Sequence, residues 1–513
     1  MTAPDEHTAH DSANVAGVAG VAGVAGVADA PNEANEANEA NAPNEANEAN
    51  EANEANVANE AEGAGTAAAG GRATLRVALL GCGSVGSQVA RLLREQAADL
   101  AVRTGARLEL AGIAVRRPAH PRAAGIDRQL LTADAMGLAT RPDIDIVVEV
   151  IGGIEPARSL LLAAMKAGKS VITANKALLA EIGAEIHGAA REHGTDLYYE
   201  AAVAGAIPII RPLHESLAGE RIRRVMGIVN GTTNFILTSM SESGLSYTQA
   251  LAEAQRLGFA ERDPSADVDG HDAAAKAVIL ASLAFRCDVS VGDVAPAEGI
   301  AGVDPVDVAF AERLGYVVKL LAVVERAGEP DGSGAGGPEQ AQISVRVHPA
   351  MLPRTHPLAS VRGAFNAVFI EGEASGELML YGRGAGGRPT ASAVLGDLID
   401  AAHHLRAGSP GRVVRRARPL VKPADDLCCA WYLNIDVADR PGVLAAVARV
   451  FGDNGVSIRS MEQVGLGDEA RLIFLTHVAR EGDVNATLAG LRRLDVVDHV
   501  GGTLRVLGDE DAT

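Results

Sequence analysis

The chain has 513 residues, of which 47% are hydrophobic and 3% aromatic, and this length accommodates two to four domains with packed cores. The formal net charge is −20, but 13 of the 66 acidic residues and none of the 46 basic ones precede Arg72. The rest of the chain therefore has a net charge of about −7 (46 basic against 53 acidic residues). Because the sequence has no basic stripe, we expect no nucleic-acid binding. Four cysteines without paired spacing, no long apolar run and no signal-peptide pattern predict a cytoplasmic protein without disulfides, structural zinc or a membrane span.

Residues 1–71 form a low-complexity tail in which Asn-Glu-Ala tripeptides repeat from Asn32 to beyond Asn53. A three-residue period matches neither a helix face nor a strand, and this composition cannot bury enough surface to offset the entropy of ordering. We therefore predict that the tail is disordered.

A glycine-rich turn, GCGSVG, joins the first predicted strand (TLRVALL) to the first predicted helix. In a dinucleotide-binding fold the first glycine permits the turn, the second lets the pyrophosphate approach the backbone, and the third lets the helix pack on the sheet. The alternative is a glycine turn in an α/β domain that binds no nucleotide. The predicted cofactor-binding residues of this turn are Gly81, Gly83, Ser84, Val85 and Gly86.

The end of the second predicted strand indicates which dinucleotide is preferred. An NAD site normally places an acidic residue there for the ribose 2′-hydroxyl, but this chain has Arg116 and Arg117. Two guanidinium groups suit a 2′-phosphate, so we expect NADPH, with NADH as the alternative cofactor. If the arginines are only surface charges, this preference disappears.

Strands and helices alternate up to about residue 206, which predicts a parallel, doubly wound sheet of the Rossmann type. Longer strands mixed with helices follow and predict a separate α+β domain, and the chain ends in a strand–helix–strand–strand–helix–strand order typical of a ferredoxin-like βαββαβ fold. The predicted boundaries are 1–71 for the tail, 72–206 (completed by about 376–405) for the nucleotide-binding domain, 207–375 for the substrate and dimerisation domain, 406–427 for a linker, and 428–513 for the last domain.

The stretch DVDGHDAAAKAVILASLAF, which begins at Asp267, predicts a helix from Ala273 that is apolar on nearly every face, with Lys276 as its only charge. Such a helix is normally buried, and burial of an unpaired ammonium is costly. Asp272 lies four residues before Lys276, so one helical turn brings the two side chains together. The pair is either a structural ion pair worth about 0.2–0.5 kcal/mol or an acid held in a dry pocket.

Several segments together resemble the monofunctional homoserine dehydrogenases. In chain order they are EVIGGIEPA, VITANKALLA, YYEAAVAGAIPII, GIVNGTTNFIL, GFAERDPSADVDGHDAAAKAVILA and GRGAGGRPTASAVLGD. The resemblance covers about residues 74–405, and the combination is far more specific than any single motif. The later segment DRPGVLAAVARVFGDNGVSI resembles an ACT domain, a regulatory module that binds small molecules.

The resemblance implies NAD(P)H-dependent reduction of L-aspartate 4-semialdehyde to L-homoserine, a step toward threonine, methionine and isoleucine. It implies that Lys276 is the general acid and that Lys176 lies at the nicotinamide and the substrate; without the resemblance, Lys176 reads as a solvated helix-start lysine. The implied substrate-binding residues are Gly258, Glu261, Asp267 and Asp272. Further implied cofactor contacts are Gly152, Thr173, Asn175, Lys176 and Gly386.

The family also binds a monovalent cation, typically sodium, through a glutamate and backbone carbonyls. The matching positions here are Glu200, Val203, Gly205 and Ile207. A site of hard oxygen ligands suits an alkali or alkaline-earth ion better than zinc. We expect such an ion to be structural.

The ACT-like segment implies an amino-acid effector, L-threonine, bound across a dimer of these modules, and the resemblance implies a homodimer or a homotetramer. The candidate effector positions are Asp439, Gly442, Asn454 and Val456. The alternative is a module kept for dimerisation only.

Two other functions remain open from the sequence. One is a catalytically inactive regulator that senses NADPH and an amino acid, against which the intact lysines and carboxylates argue. The other is a dehydrogenase for a similar amino-aldehyde. We find no cysteine in a nucleophile setting, which disfavours a phosphorylating semialdehyde dehydrogenase.

Overall fold

A computed structural model describes residues 74–120, 125–327, 342–409, 417–465, 467 and 469–508. The predicted disordered tail, residues 1–71, lies outside the described residues. None of the helices in the described part of the chain combines the length and the apolar character that a membrane crossing needs.

The first sheet is parallel and has the strand order β3-β2-β1-β4-β5-β6, the order of a Rossmann fold, as the alternating pattern predicted. Its strands are β1 (Thr74–Leu80), β2 (Arg107–Ala114), β3 (Leu131–Thr132), β4 (Ile146–Glu149), β5 (Ser170–Thr173) and β6 (Leu197–Tyr198). The helices among them are α1 (Ser84–Glu95), α2 (Ala97–Thr104), α3 (Ala135–Thr140), α4 (Ala157–Lys166) and α5 (Lys176–His193). The strand predicted in TDLYYEAAVAG is only the two residues of β6, because the chain turns into a 3₁₀ helix at Glu200–Ala202.

The predicted α+β domain follows and supplies a mixed sheet. Its strands are β7 (Ile222–Ile228), β8 (Tyr316–Arg326), β9 (Gln342–Pro353), β10 (Phe365–Gly372) and β11 (Gly376–Arg383). Its helices are α6 (Gly231–Ser243), α7 (Tyr247–Arg256), α8 (Ser265–Val268), α9 (His271–Ala284) and α10 (Pro305–Arg313). Helix α9 is the predicted apolar helix, and eleven of its residues are buried.

The chain then returns to the nucleotide-binding domain through α11 (Gly387–Ala407), which packs against α1 and buries Val394 and Leu398 in the same core. The sequence predicts that about 376–405 complete that domain. Strand β11 instead pairs with β10 in the mixed sheet, so the return begins only at α11. Strand β11 was not foreseen because its charged and glycine residues mask the alternation of an edge strand.

The last part of the chain has the predicted βαββαβ order. Its elements are β12 (Leu420–Val421), β13 (Cys428–Ala438), α12 (Val443–Asp453), β14 (Ile458–Gly465), β15 (Glu469–Thr476), β16 (Ala479–Arg480), α13 (Glu481–Leu491) and β17 (Val497–Val506). Strand β17 pairs with β13 on one side and, in parallel, with β9 on the other. The mixed sheet therefore continues into this domain and has 11 strands.

Candidate active site

The turn between β1 and α1 has the geometry that the glycine motif predicted. Gly81 has φ +105°, and a Cβ at Gly86 would lie 2.2 Å from the Gly81 carbonyl oxygen, so neither position has room for a side chain. A Cβ at Gly83 would meet nothing within 4 Å. Helix α1 begins at Ser84 without a side-chain cap, so its first amides are open to an anion, and the turn fits a dinucleotide pyrophosphate.

Beside this turn, a buried carboxylate organises the loop after β4. Glu149 is completely buried and accepts hydrogen bonds from the backbone amides of Ile151 (2.7 Å) and Gly152 (3.0 Å) and from the Thr173 hydroxyl (2.5 Å). Asn175 donates to the Gly153 carbonyl at 2.6 Å. The predicted cofactor residues Gly152, Thr173 and Asn175 thus belong to one hydrogen-bonded unit at the carboxyl ends of β4 and β5.

Three other predicted cofactor residues approach the same edge of the sheet. Arg116 and Arg117 are exposed directly after β2. Gly386, with φ +126°, precedes Gly387, at which a Cβ would lie 2.6 Å from the Ser84 carbonyl oxygen. The start of α11 therefore crosses closely over the first turn of α1.

The two predicted lysines converge on one carboxylate. Lys276 Nζ lies 2.6 Å from Asp272 Oδ2 and donates to the Val229 carbonyl at 2.6 Å, while Lys176 Nζ lies 3.0 Å from Asp272 Oδ1. Lys276 is buried, but about 45% of the Lys176 side chain is exposed. Because Lys176 begins α5 next to the nucleotide edge, its ion pair joins the nucleotide-binding domain to the substrate domain.

The charge state of Asp272 follows from these contacts. Burial alone would raise the pKa of its carboxyl, but the ammonium groups of Lys276 and Lys176 outweigh burial and hold that pKa well below its ordinary value. Both lysines therefore share one buried carboxylate. An ammonium has three N–H donors, and two of those of Lys276 are used by Asp272 and Val229.

Asn230 is a site residue that no sequence motif indicated. Its side-chain amide donates to Asp267 Oδ1 at 2.7 Å and to Asp272 Oδ2 at 2.9 Å, and its carbonyl oxygen caps α6 by accepting from the Thr233 amide. One buried side chain thus holds two of the three predicted substrate carboxylates, Asp267 and Asp272. The sequence signal for Asn230 is a polar residue that follows an apolar strand and precedes a glycine, in GIVNG. Glu149 has a similar signal, because it is the polar residue at the end of the apolar strand IVVE.

The remaining predicted substrate residues lie in the loop after α7. Gly258 has φ +77°, and the Phe259 carbonyl accepts a hydrogen bond from Thr232 at 2.7 Å, which ties this loop to the start of α6 beside Asn230. Glu261 is exposed in the same loop. Within the described part of the chain, its carboxylate makes no hydrogen bond or ion pair with the lysine cluster.

The predicted cation site has a different arrangement. The buried carboxylate of Glu200 accepts three backbone amides, from Ile209 (2.6 Å), Ile210 (2.9 Å) and Arg211 (2.9 Å). These donors occupy most of the lone pairs of one carboxylate, so Glu200 has little capacity left for an ion. No group of three or more His, Cys, Asp or Glu side chains that could hold a metal occurs among the described residues.

The other three predicted cation ligands lie in the tight turn that follows Glu200. Ala204 and Gly205 both have positive φ, +55° and +58°, and Val203 and Ile207 are buried on either side. The residues therefore fit a cation only through the backbone carbonyls of Val203, Gly205 and Ile207. A cavity of about 430 Å³ beside Glu200 is separate from the lysine cluster, whose residues do not line it.

The predicted effector positions lie around the start and end of α12. Gly442, with φ +92°, is the residue before the helix, and a Cβ there would meet nothing within 4 Å. Asp439 is exposed and accepts from Gln463 at 3.4 Å, Asn454 donates to the Val450 carbonyl, and Val456 is buried. The exposed turn Asp439–Gly442 has space for a ligand beside it.

The chain is similar to known proteins over its nucleotide-binding domain, its substrate domain and its last domain. Family models match in three places: the homoserine dehydrogenase NAD-binding domain over 81–200, homoserine dehydrogenase over 208–399 and the ACT domain over 431–496. The homoserine dehydrogenase of Corynebacterium glutamicum is 50% identical over 435 residues, which are 84% of this chain and 96% of that protein.

Solved structures agree. A homoserine dehydrogenase from Thiobacillus denitrificans superposes with a TM-score of 0.78 at 39% identity, covering 85% of this chain and 99% of that one. A hyperthermophilic archaeal homoserine dehydrogenase in complex with NADPH covers 64% of this chain and 97% of its own, with a TM-score of 0.51 at 29% identity. The chain therefore belongs to the homoserine dehydrogenase family, as an oxidoreductase with a nicotinamide-nucleotide-binding domain, a substrate domain and a C-terminal ACT domain.

Proposed function

We propose that the site around Lys276 interconverts L-aspartate 4-semialdehyde and L-homoserine with NADPH, as a step of threonine, methionine and isoleucine biosynthesis. The observation that supports this most directly is the ion pair between Lys176 and Asp272, at 3.0 Å. It brings a residue at the cofactor edge of the parallel sheet to the carboxylate that also pairs with the buried Lys276, so the hydride donor and the proton donor would meet at one place.

Lys276 is the proposed proton donor. NADPH, when bound, supplies the hydride that reduces the aldehyde carbon. Lys276 then gives a proton to the oxygen that becomes the hydroxyl of homoserine, and it takes that proton back in the reverse direction. Asp272 and the Val229 carbonyl hold its Nζ in place and leave one N–H donor for the substrate oxygen.

The carboxylates around Asn230 are proposed to bind the substrate ammonium. Asp267 accepts the Asn230 hydrogen bond through Oδ1, and its Oδ2, which bonds none of the described residues, is proposed to bind the substrate. Glu261 is exposed in the loop that begins at Gly258, and its carboxylate makes no ion pair with any of the described residues. It is therefore proposed to be open to the substrate. Lys176, still partly exposed although paired, is proposed to attract the substrate carboxylate or to contact the nicotinamide.

The cofactor preference is proposed to rest on Arg116 and Arg117, which follow β2 where an NAD enzyme would have a carboxylate. Replacing both arginines with alanine should raise the KM for NADP⁺ about tenfold or more, since each contact to a phosphate is charge-assisted. The KM for NAD⁺ should change little. Equal changes for the two cofactors would show that the arginines do not contact the 2′-phosphate.

A monovalent cation, sodium by family resemblance, is proposed to bind the carbonyls of Val203, Gly205 and Ile207. Its role would be structural, because it would stabilise the left-handed turn at Ala204 and Gly205. Thermal stability should then be higher in sodium chloride than in choline chloride at equal ionic strength, whether or not substrate is present.

For the ACT domain we propose feedback inhibition by L-threonine, received at the open amides near Gly442 with Asp439, Asn454 and Val456 around it. A homodimer or homotetramer is proposed by resemblance. The variant Asp439→Ala removes an exposed side chain of the same turn and should weaken inhibition while leaving uninhibited turnover unchanged.

One set of assays tests these proposals together. Initial rates of NADP⁺ and NAD⁺ reduction are measured with L-homoserine, with and without L-threonine. We expect turnover that favours NADP⁺ and falls with threonine. Turnover that ignores threonine would leave the ACT domain as a dimerisation module, and folded protein that binds NADPH without turnover would instead be the inactive sensor.

A further inference from the structure

One edge of β9 collects three segments from different parts of the chain. Strand β12 pairs with residues 342–343, residues 295–298 bond to the carbonyls of Val345 and Val347, and strand β17 of the ACT domain pairs with residues 350–351. The segment 295–298 and β17 are therefore neighbours along a single strand edge. This arrangement brings a residue of the ACT domain to a residue of the substrate domain.

Those two residues are Arg505 and Glu298. Arg505, in β17, is buried and forms a two-pronged ion pair with Glu298 (Nη1 to Oε2 at 2.9 Å, Nη2 to Oε1 at 2.7 Å). The same guanidinium bonds Glu481 at 2.7 Å and stacks over the Trp431 ring at 4.6 Å. Glu481 and Trp431 belong to the ACT domain. Arg505 is therefore fixed by contacts within its own domain and at the same time forms an ion pair with Glu298 in the substrate domain.

The segment that carries Glu298 lies directly on the turn between α8 and α9. The Ile300 amide donates to the Val268 carbonyl at 2.8 Å, and a Cβ at Gly299 would lie 2.1 Å from that same carbonyl oxygen. Gly270, which has φ +84°, faces the Glu298 carbonyl oxygen, 3.5 Å from the position of a Cβ. The two segments pack closely at Gly299 and share a hydrogen bond, so we expect a displacement of residues 297–300 to shift the turn.

This turn connects the carboxylates of the proposed substrate site. Asp267 precedes it at the end of α8, and Asp272, in the first turn of α9, follows Gly270 by two residues. Both are held by the amide of Asn230, at 2.7 and 2.9 Å. Their relative position therefore depends on a turn that is supported from outside by residues 297–300.

We propose that Arg505 and Glu298 are positioning residues for the substrate site: the ion pair presses residues 297–300 onto the 268–270 turn and so sets the spacing of Asp267 and Asp272. The inference rests on the proposed function, because it takes these two carboxylates as substrate ligands. A domain assigned to regulation thus contributes a residue that supports substrate binding even in the absence of an effector.

The test is the variant Glu298→Gln in the full chain. The amide keeps the shape of the side chain but loses the charge and one acceptor, while Arg505 retains Glu481. We expect the KM for L-homoserine to rise about threefold to tenfold, the range of effects carried through packed networks, with a smaller change in kcat. The KM for NADP⁺ and the melting temperature should stay close to those of the parent protein, which a merely structural role would not predict.

A matched control is Asp436→Asn, which breaks the two-pronged ion pair of Asp436 with Arg471 in the ACT domain (2.7 and 3.0 Å). That pair has similar geometry but does not touch residues 297–300, so the KM for homoserine should not change. The variant Arg505→Lys should raise the KM as Glu298→Gln does, and the double variant should raise it no further, because both changes remove the same contact.

The outcomes separate this inference from the proposed function. If Asp267→Asn raises the KM for homoserine but Glu298→Gln leaves it unchanged, the ion pair does not position the turn and the inference is wrong. If Asp267→Asn also leaves it unchanged, the proposed substrate site itself is wrong. Equal increases in Glu298→Gln and Asp436→Asn would overturn the inference too, since they would indicate general loosening of the sheet.

Discussion

Asp272 illustrates how much one residue can organise. It pairs with donors from three parts of the chain: Lys276 in its own helix, Lys176 from the nucleotide-binding domain and Asn230 at the start of α6. Removing one partner of a buried ion pair leaves an uncompensated charge and is costly. With two cations present, Asp272 keeps a partner when either lysine is replaced, and this makes single variants of the lysines informative.

We predict that Lys276→Met lowers kcat by about a hundredfold to ten-thousandfold, the usual contribution of a general acid, while NADPH affinity is unchanged. Methionine fills the space of the lysine stem, and Asp272 retains Lys176 and Asn230, so the variant should fold. Steady-state kinetics and NADPH fluorescence titration measure the two quantities.

The control for this variant is Lys319→Met. Lys319 is also buried, and its Nζ donates to the Asn234 side-chain oxygen and to the Val361 carbonyl, not to Asp272. Burial lowers the pKa of its ammonium to about 8. We expect nearly normal kcat in Lys319→Met; a kcat for Lys276→Met within a few-fold of the parent would remove Lys276 from the chemistry.

A second carboxylate gives a pH prediction. Asp397, in α11, is buried and bonds Arg211 and the Glu200 amide. Burial raises the pKa of its carboxyl to about 7 even though Arg211 opposes this. The folded protein therefore holds a proton that the unfolded chain releases near pH 4. The stabilisation is complete below about pH 4 and is lost as the pH rises through about 7.

Asp397→Asn, which imitates the protonated carboxyl, should therefore gain in free energy of unfolding relative to the parent protein between about pH 5 and pH 7. The gain is at most about 1.4 kcal/mol per pH unit, the limit for one proton. Urea unfolding across this range measures it. The exposed Asp99→Asn serves as control, and a difference that stays constant or reverses with pH would contradict the expected sign.

At the scale of the elements, two glycines of the β1–α1 turn have different roles, one in packing and one in leaving space for a ligand. Gly86 is needed for packing, because its Cβ would lie 2.2 Å from a carbonyl oxygen, whereas Gly83 has free space beside it and φ −85°. The free space at Gly83 is where a pyrophosphate would approach the backbone.

We predict that Gly86→Ala lowers the free energy of unfolding by about 1–3 kcal/mol, the cost of overpacking. Gly83→Ala should leave stability unchanged but weaken NADPH binding about tenfold or more. Thermal denaturation and NADPH titration of the two variants separate the effects. Loss of stability in Gly83→Ala with normal NADPH affinity would contradict the proposed approach of the pyrophosphate.

At the scale of the whole molecule, one continuous sheet joins the ACT domain to the substrate domain, and the two domains share a hydrophobic core. Tyr432 and Leu504 belong to the same apolar cluster as α9 and β8. Tyr432 and Asn434 also donate to the buried Asp307 of α10, at 2.9 and 2.8 Å. Burial raises the pKa of the Asp307 carboxyl, although these donors oppose it. Domains that share a core and a sheet are expected to unfold together.

The only tryptophan of the chain, Trp431, lies in the ACT domain, so its fluorescence reports the unfolding of that domain. We predict that the fluorescence transition and the loss of activity coincide on heating. Tyr432→Phe should lower the temperatures of both transitions together. The loss of a hydrogen-bond donor to a buried carboxylate should lower the free energy of unfolding by about 1–3 kcal/mol. A fluorescence transition that precedes the loss of activity would show that the ACT domain unfolds separately.

The sequence by itself determined the features that depend on residues close together in the chain. The glycine turn, the Rossmann alternation and the approach of Asp272 to Lys276 follow from helical and strand periodicity, and the βαββαβ order at the end follows in the same way. The family resemblance added Lys176 and the substrate carboxylates as a list of positions, without their contacts.

Only the tertiary structure decided which of these residues meet. The ion pair of Lys176 with Asp272, the bridging amide of Asn230 and the ion pair of Arg505 with Glu298 all join segments far apart in sequence. The fusion of the ACT sheet to β9 is of the same kind. No local pattern encodes them, because they depend on which strand edges and helix faces pack together once the chain has folded.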